Sequence, residues 1–392
     1  FLTKHKECFF MQNKQILHII TISFVINHFF GRQFKYLRTK TNNDYFLGCT
    51  PSDEFFQLAD SLEYSPLSVD VTRNISPITD LKAIYKIYKF IKKNKIETVV
   101  GHTPKGGMVA MIAAFFAGVQ DRVYFRHGII YETSTGFKRF LLKNIDRLSG
   151  TLATKVVCVS QSVKKISEED NLNAPSKNII LGIGTCNGID TENKFNPDRQ
   201  DIKLVLDIKK ELTINENDFV IGYVGRLVKD KGINELIEAW KILKEKHQNI
   251  KLLLVGPIEE RDAISEESKK IIKNDPHIIN TGFVLNAAPY FNVMDVFVLP
   301  TYREGFPTVS LEASSMKLPV LITKATGCEE SIIENKTGLF IKNDPSDIRQ
   351  KIEFYIENPE MKQLHGDNGR DFVRQHFEET KIWDFIHKNL GY

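Results

Sequence analysis

From end to end the chain alternates short apolar runs with stretches in which apolar residues return every three or four positions. In the first half, "QILHIIT", "ETVVGHT", "DRVYFRH", "KVVCVS" and "NIILG" read as strands. Helical patterns lie between them. One is "DLKAIYKIYKFIKKN" (80–94), which predicts a face of Leu81, Ile84, Ile87, Tyr88 and Ile91. The second half repeats the theme with "DFVIGYVGR", "IKLLLVG", "HIINTGFV", "DVFVLPTY", "LPVLIT" and "GLFIK", and three successive helical patterns close the chain. Strands that are apolar throughout and separated by helices predict parallel sheets covered on both faces. The expected class is α/β: two facing doubly wound parallel-sheet (Rossmann-like) domains with a cleft between them.

A chain of 392 residues suits two domains of about 150 to 200 residues each. The polar run "GIDTENKFNPDRQDIKL" (188–204), with Pro197 inside it, marks the joint. The expected boundaries are 11–197 for an N-terminal domain and 198–375 for a C-terminal domain. A C-terminal helix over 376–392 is expected to pack back on the first domain. Residues 1–10 precede Met11 and read as an upstream or introduced extension. The run "ILHIITISFVI" (16–26) is too short to span a bilayer and lacks a small-residue cleavage site, so it reads as a buried strand entering a loop.

Composition narrows the class. Apolar content of 42% and charged content of 26% describe a soluble globular chain, and a net charge of +4 does not predict nucleic-acid binding. Five scattered cysteines without a CxxC pair argue against a disulfide framework or a zinc site and for a reducing, cytoplasmic location. Cys158, in "KVVCVS", reads as a small core residue.

Ligands of parallel α/β sheets bind beyond the carboxyl ends of the strands, so the informative loops are those that follow strands. In "GYVGRLVKDKG" (222–232), Gly225 permits a tight turn, and Arg226 and Lys231 bracket the approach to a helix. Two cations beside a helix N-terminus suit a diphosphate; a solvated surface turn is the plainer alternative. The glycine spacing is neither a Walker loop nor GxGxxG. In "REGFPTVSLEA" (303–313), Glu304 precedes a Gly-Phe-Pro turn and Glu312 lies in the helix that follows. The amides of Gly305, Phe306, Thr308 and Val309 are expected to lack intrahelical partners and to close over an anion. Carboxylates on either side of that anion would accept from hydroxyls, one set on a sugar and one on a ribose. That arrangement suits a nucleoside diphosphate sugar.

"GRLVKDKG", followed by "EGFPTVSLEA" and "GCEESI", resembles the retaining glycosyltransferases of family 4, which have the glycosyltransferase-B fold. The resemblance runs from about residue 14 to the end. "HTPKGG", "RHG" and "NGID" are similar to stretches in members that build bacterial surface polysaccharides, capsule and O-antigen among them, or lipid-linked oligosaccharides. It implies that Glu304 lies by the donor sugar and Glu312 holds the ribose hydroxyls. Gly305, Phe306, Pro307, Thr308 and Val309 would line the sugar and phosphates, with Gly225 at the turn. Arg226 and Lys231 would neutralise the leaving diphosphate, and Phe283 and Val284 would frame the base. His127, in "YFRHGIIYET", would approach the donor sugar from the first domain. The first loop departs from the pattern: "SFVINHFFGRQ" has the single Gly31 where many members carry a glycine pair.

Two further stretches of the first domain carry alternatives. In "GHTPKGGMVAMIAAFFAG" (101–118), His102, Lys105 and Gly106 form a candidate acceptor site for a diphosphate, or Gly106 and Gly107 serve only helix-to-sheet packing. "TGFKRFLLKNIDRLSG" (135–150) pairs Phe137, Phe140, Leu141 and Ile145 with Lys138, Arg139, Lys143 and Arg147. A basic amphipathic stretch of this kind suits an anionic membrane surface; the ordinary expectation is a core-facing helix with a solvated basic side.

The reading is a retaining hexosyltransferase that moves a sugar from a nucleoside diphosphate sugar, expected to be a uridine diphosphate sugar. Its acceptor is a glycan or a polyprenyl-diphosphate-linked glycan. His127, Glu304, Arg226 and Lys231 carry the chemistry, with no metal and no cofactor, and contact with the inner face of the cytoplasmic membrane is peripheral. The rival readings are a nucleotide-sugar epimerase of the same architecture, a sugar phosphorylase, for which no loop can be nominated, and a non-catalytic nucleotide-sugar-binding partner.

Overall fold

The computed structural model describes residues 13–72 and 76–392; the expected extension over 1–10 lies outside them. The chain divides into two compact units. Among the described residues the first comprises 13–72, 76–159, 164–181 and 382–392, and the second comprises 160–163 and 182–381.

Seven parallel strands form the sheet of the first unit: β1 (Gln15–Ile19), β2 (Asp44–Cys49), β3 (Ser65–Ser68), β4 (Thr98–His102), β5 (Asp121–Arg126), β6 (Lys155–Cys158) and β7 (Asn178–Ile179). Their order is β3-β2-β1-β4-β5-β6-β7, so the direction of winding reverses between β1 and β4. The sequence pattern missed β2 and β3. Only Leu67 of β3 is buried, and a four-residue strand with one inward residue carries no period.

The predicted helix over 80–94 is Pro77–Asn94, but its inward face is Asp80, Ala83, Ile87 and Ile91, with Leu81 exposed. Asp80 turns inward because it pairs with buried Lys105 at 2.6 Å.

The second unit holds β8 (Phe219–Val224), β9 (Ile250–Val255), β10 (Ile278–Gly282), β11 (Val296–Leu299), β12 (Val320–Thr323) and β13 (Gly338–Ile341), all anticipated from their apolar runs. The order is β10-β9-β8-β11-β12-β13, again parallel throughout, with the reversal between β8 and β11. β9 is buried at every position, as a central strand covered on both faces must be.

The joint falls after Leu181 and not at 197. Residues 182–197 belong to the second unit because Ile189 and Phe195 enter its core. The Ile189 amide donates to the Phe377 carbonyl at 2.8 Å, and Arg370 donates to the carbonyls of Phe195 and Ser315. At the other end, Ile382–Tyr392 cluster with the first unit, where the Tyr36 hydroxyl donates to Asp384 at 2.8 Å. The four cysteines among the described residues are unpaired and buried, Cys158 included. Among the described residues no helix is long and apolar enough to cross a membrane.

Candidate functional site

β8 and β11 are neighbours at the reversal of the second sheet, so the loops that leave their carboxyl ends lie side by side. Two glycines permit the close approach. Gly232 has φ +69, and a Cβ there would sit 1.9 Å from the Pro300 carbonyl oxygen. Gly327, in "GCEESI" on the loop that follows β12, has φ +82 and would press a Cβ onto the Gly305 and Glu304 carbonyls, so it seats that third loop against the β11 loop. Hydrogen bonds then stitch the loops together. The Tyr302 amide donates to the Asp230 carbonyl at 3.0 Å, and the Glu304 amide to the Thr326 carbonyl at 3.0 Å. Arg303 pairs with Asp230 at 3.1 Å.

This frame brings Lys231 and Glu304 into a partly buried ion pair across the two loops. Arg226 stands on the same β8 loop, half exposed, with Glu259 as its partner at 2.9 Å. Its carbonyl accepts from the Tyr223 hydroxyl beneath Gly225 at 2.9 Å, which fixes the loop on a buried aromatic post. Both cations nominated for a diphosphate are thus held by carboxylates. Sequence reasoning did not foresee Glu259, and nothing in the local pattern "PIEERD" marks it.

The turn after Glu304 leads into the helix Thr308–Ser315, with Pro307 as its N-cap. The Thr308 amide donates to the Phe306 carbonyl at 3.0 Å, so the expected tier of free amides loses that member. Glu312 lies on the second turn of the helix. Burial pushes its carboxyl up to about 7, against the opposing pull of Lys194. Past the end of β10, Phe283 is 63% exposed, while Val284 is partly buried against the core.

The first unit buries the three residues of the expected acceptor site. Lys105 does not reach outward: its ammonium is buried against Asp80 at 2.6 Å. Gly106 serves close packing, since a Cβ there would lie 3.1 Å from the Ile19 carbonyl oxygen. His102 is buried at the end of β4, its ring against Phe125 and its nitrogens toward His18 and His127. None of the three is presented to a diphosphate. His127, just past β5, is only partly buried; Phe29 stacks on it at 4.0 Å, and burial pushes its imidazole down to about 3.

The basic helix Gly136–Leu152 also departs from the ordinary expectation. Its inward residues are Asp146, Ser149 and Gly150, and Phe137 and Phe140 are 76% and 64% exposed. Asp146 is drawn inward by buried Arg126 at 3.0 Å, which rolls the phenylalanines out. Among the described residues no group of three or more His, Cys, Asp or Glu is placed to hold a metal ion.

Residues 206–372 match the family described as glycosyl transferases group 1, and residues 52–160 match that described as glycosyl transferase 4-like. Across 375 residues the chain is 35% identical to the capsular polysaccharide biosynthesis glycosyltransferase CapM of Staphylococcus aureus, covering 95% of this chain and 96% of that one. It is 29% identical over 274 residues to an Escherichia coli UDP-Gal:alpha-D-GlcNAc-diphosphoundecaprenol alpha-1,3-galactosyltransferase, covering 69% and 68%. The crystal structure of Anabaena HepE in complex with UDP-glucose superposes with a TM-score of 0.79 at 18% identity, covering 96% of this chain and 99% of that one.

Proposed function

Since this chain belongs to the family 4 type glycosyltransferases of glycosyltransferase-B fold, we propose that it transfers a sugar from a uridine diphosphate sugar to a growing polysaccharide or lipid-linked oligosaccharide, with retention. The observation that carries the reading is the Lys231–Glu304 pair with Arg226 beside it, on the two loops at the reversal of the second sheet. The capsular and diphosphoundecaprenol-linked relatives support the acceptor class, and the UDP-glucose complex of a structural neighbour supports the donor.

In this reading the incoming diphosphate takes Lys231 from Glu304 and Arg226 from Glu259. Glu304 is then released to accept from hydroxyls of the transferred sugar. The Glu312 carboxylate accepts from the ribose hydroxyls, the 305–309 segment lines the sugar and phosphates, and Phe283 and Val284 frame the base. His127 bonds an oxygen of the sugar. As the bond from the anomeric carbon to the phosphate oxygen lengthens, charge grows on the diphosphate where the two cations meet it. The acceptor oxygen bonds to the anomeric carbon on the same face, and its proton passes to the departing phosphate oxygen. Charge compensation comes from side chains, so the reading gives no metal a role.

A lipid-linked acceptor requires access to a bilayer, and Gly136–Leu152 offers it through exposed Phe137 and Phe140 flanked by Lys138 and Arg139. The test of retention is the product: proton NMR of the new linkage should show the anomeric configuration of the donor, and the opposite configuration would overturn it.

A further inference from the structure

Three histidines, two on the neighbouring strands β1 and β4 and one just past β5, form one hydrogen-bonded line. His18 Nδ1 lies 3.1 Å from His102 Nε2, and His102 Nδ1 lies 3.1 Å from His127 Nε2. Strand register explains the line. His18 pairs with Val100 on β4, and His102 pairs with Phe125 on β5. Each next histidine is two residues further along, and a step of two keeps a side chain on the same face. The line therefore climbs diagonally from buried His18, through buried His102, to partly buried His127.

Its surroundings are aromatic. Phe34 lies 5.0 Å from His18, Phe125 stacks on His102 at 4.7 Å, and Phe29 stacks on His127 at 4.0 Å. A cation anywhere in such a box is costly, and His28 adds repulsion at the His127 end. Three neutral imidazoles in line have two self-consistent proton arrangements, and the inner end decides between them. His18 Nε2 is buried without a partner among the described residues, and so is the hydroxyl of Tyr392, whose ring is 5.7 Å from His18. A proton on His18 Nε2 would add one more stranded donor at that end. A bare lone pair adds none, and buried acceptors go unpaired more often than buried N–H donors. With His18 Nε2 bare, His18 Nδ1–H donates to His102 Nε2, and His102 Nδ1–H donates to His127 Nε2.

We infer that His18 and His102 are positioning residues that hold the His127 proton on Nδ1, so that His127 meets a sugar oxygen as a neutral N–H donor and not as a base. The role at the sugar rests on the proposed function; the proton arrangement does not. A base at His127 would pass its proton inward to a dead end, whereas a fixed donor needs no proton to move.

The experiment is long-range proton–nitrogen correlation NMR on full-length protein carrying 15N-histidine, with kinetics on the same samples. All three histidines should show bare Nε2 and protonated Nδ1, unchanged from pH 5.5 to 8. In His102→Phe, which keeps an aromatic ring in the box, the His127 pattern should change and kcat should fall about tenfold with KM little altered, the loss of one oriented hydrogen bond. His18→Phe should do the same more weakly, and provides the measurement if His102→Phe does not fold. A protonated Nε2 on His127, or a His127 pattern indifferent to His102→Phe, would overturn the inference. The predicted spectra together with full turnover in His127→Ala would overturn the role at the sugar and leave the proton arrangement standing.

Discussion

Lys231 and Glu304 stand 73 positions apart in the chain and meet as an ion pair because β8 and β11 are adjacent strands. In the proposed mechanism the cation serves the diphosphate and the carboxylate serves the sugar. Partly exposed pairs of this kind contribute about 1 kcal/mol or less to stability. Lys231→Ala should therefore lower turnover by roughly 100- to 1,000-fold, the loss of one group facing developing charge, with little change in melting temperature. Nucleoside diphosphate release and a thermal scan on the same variant check both halves. Near-normal turnover would remove Lys231 from the mechanism.

Glu312 supplies a pH dependence whose sign follows from burial. Its carboxyl is raised to about 7 from an ordinary 4.5, so the ligand-free fold binds a proton that the unfolded chain has lost in that window. Its contribution to stability is present below about 4.5 and is lost as pH rises toward 7. Ribose hydroxyls donate to the carboxylate form, so kcat/KM should rise with pH through this range. Glu312→Gln should melt above wild type at pH 8 but not at pH 4.5, and should bind uridine diphosphate more weakly. A pH 8 melting temperature below wild type would contradict the account.

Asp80 and Lys105 test the expected acceptor site. The pair is buried at 2.6 Å, and removing one partner of a buried pair typically costs about 3–5 kcal/mol. Asp80→Ala should be destabilised on that scale in urea unfolding. Lys105→Met combined with Asp80→Asn should recover much of the loss and retain turnover within about twofold, since burying matched neutral groups avoids a lone charge. A large loss of turnover in the stable double variant would return Lys105 to the acceptor site.

Phe137 and Phe140 test the membrane surface. Each exposed phenylalanine contributes on the order of 1–3 kcal/mol when its ring leaves water, so Phe137→Ser with Phe140→Ser should lower co-sedimentation with anionic vesicles at least tenfold. Equal sedimentation of variant and wild type would assign these side chains to some other partner.

What the sequence disclosed, and what it withheld, follows from the range of the interactions. The six strands of the second unit were legible because a buried parallel strand is apolar throughout. β2 and β3 were not: "DYFLGC" opens on a polar residue, and "SPLS" buries one side chain. The residues of the two glutamate and lysine loops were nominated from local pattern. That Lys231 reaches Glu304 required knowing that β8 lies beside β11. The Lys105–Asp80 pair was not legible because Asp80 sits on a different helix, where a charge at an inward position breaks the expected apolar face. The histidine line was invisible for the same reason: residues 18, 102 and 127 become neighbours only through strand register.

Transfer to an acceptor is read out by nucleoside diphosphate release from a panel of uridine and guanosine diphosphate sugars, with and without a lipid extract. Release from a uridine diphosphate sugar should depend on the acceptor and be lost in Lys231→Ala. Conversion of a donor to a free or epimerised sugar with no acceptor present would contradict it.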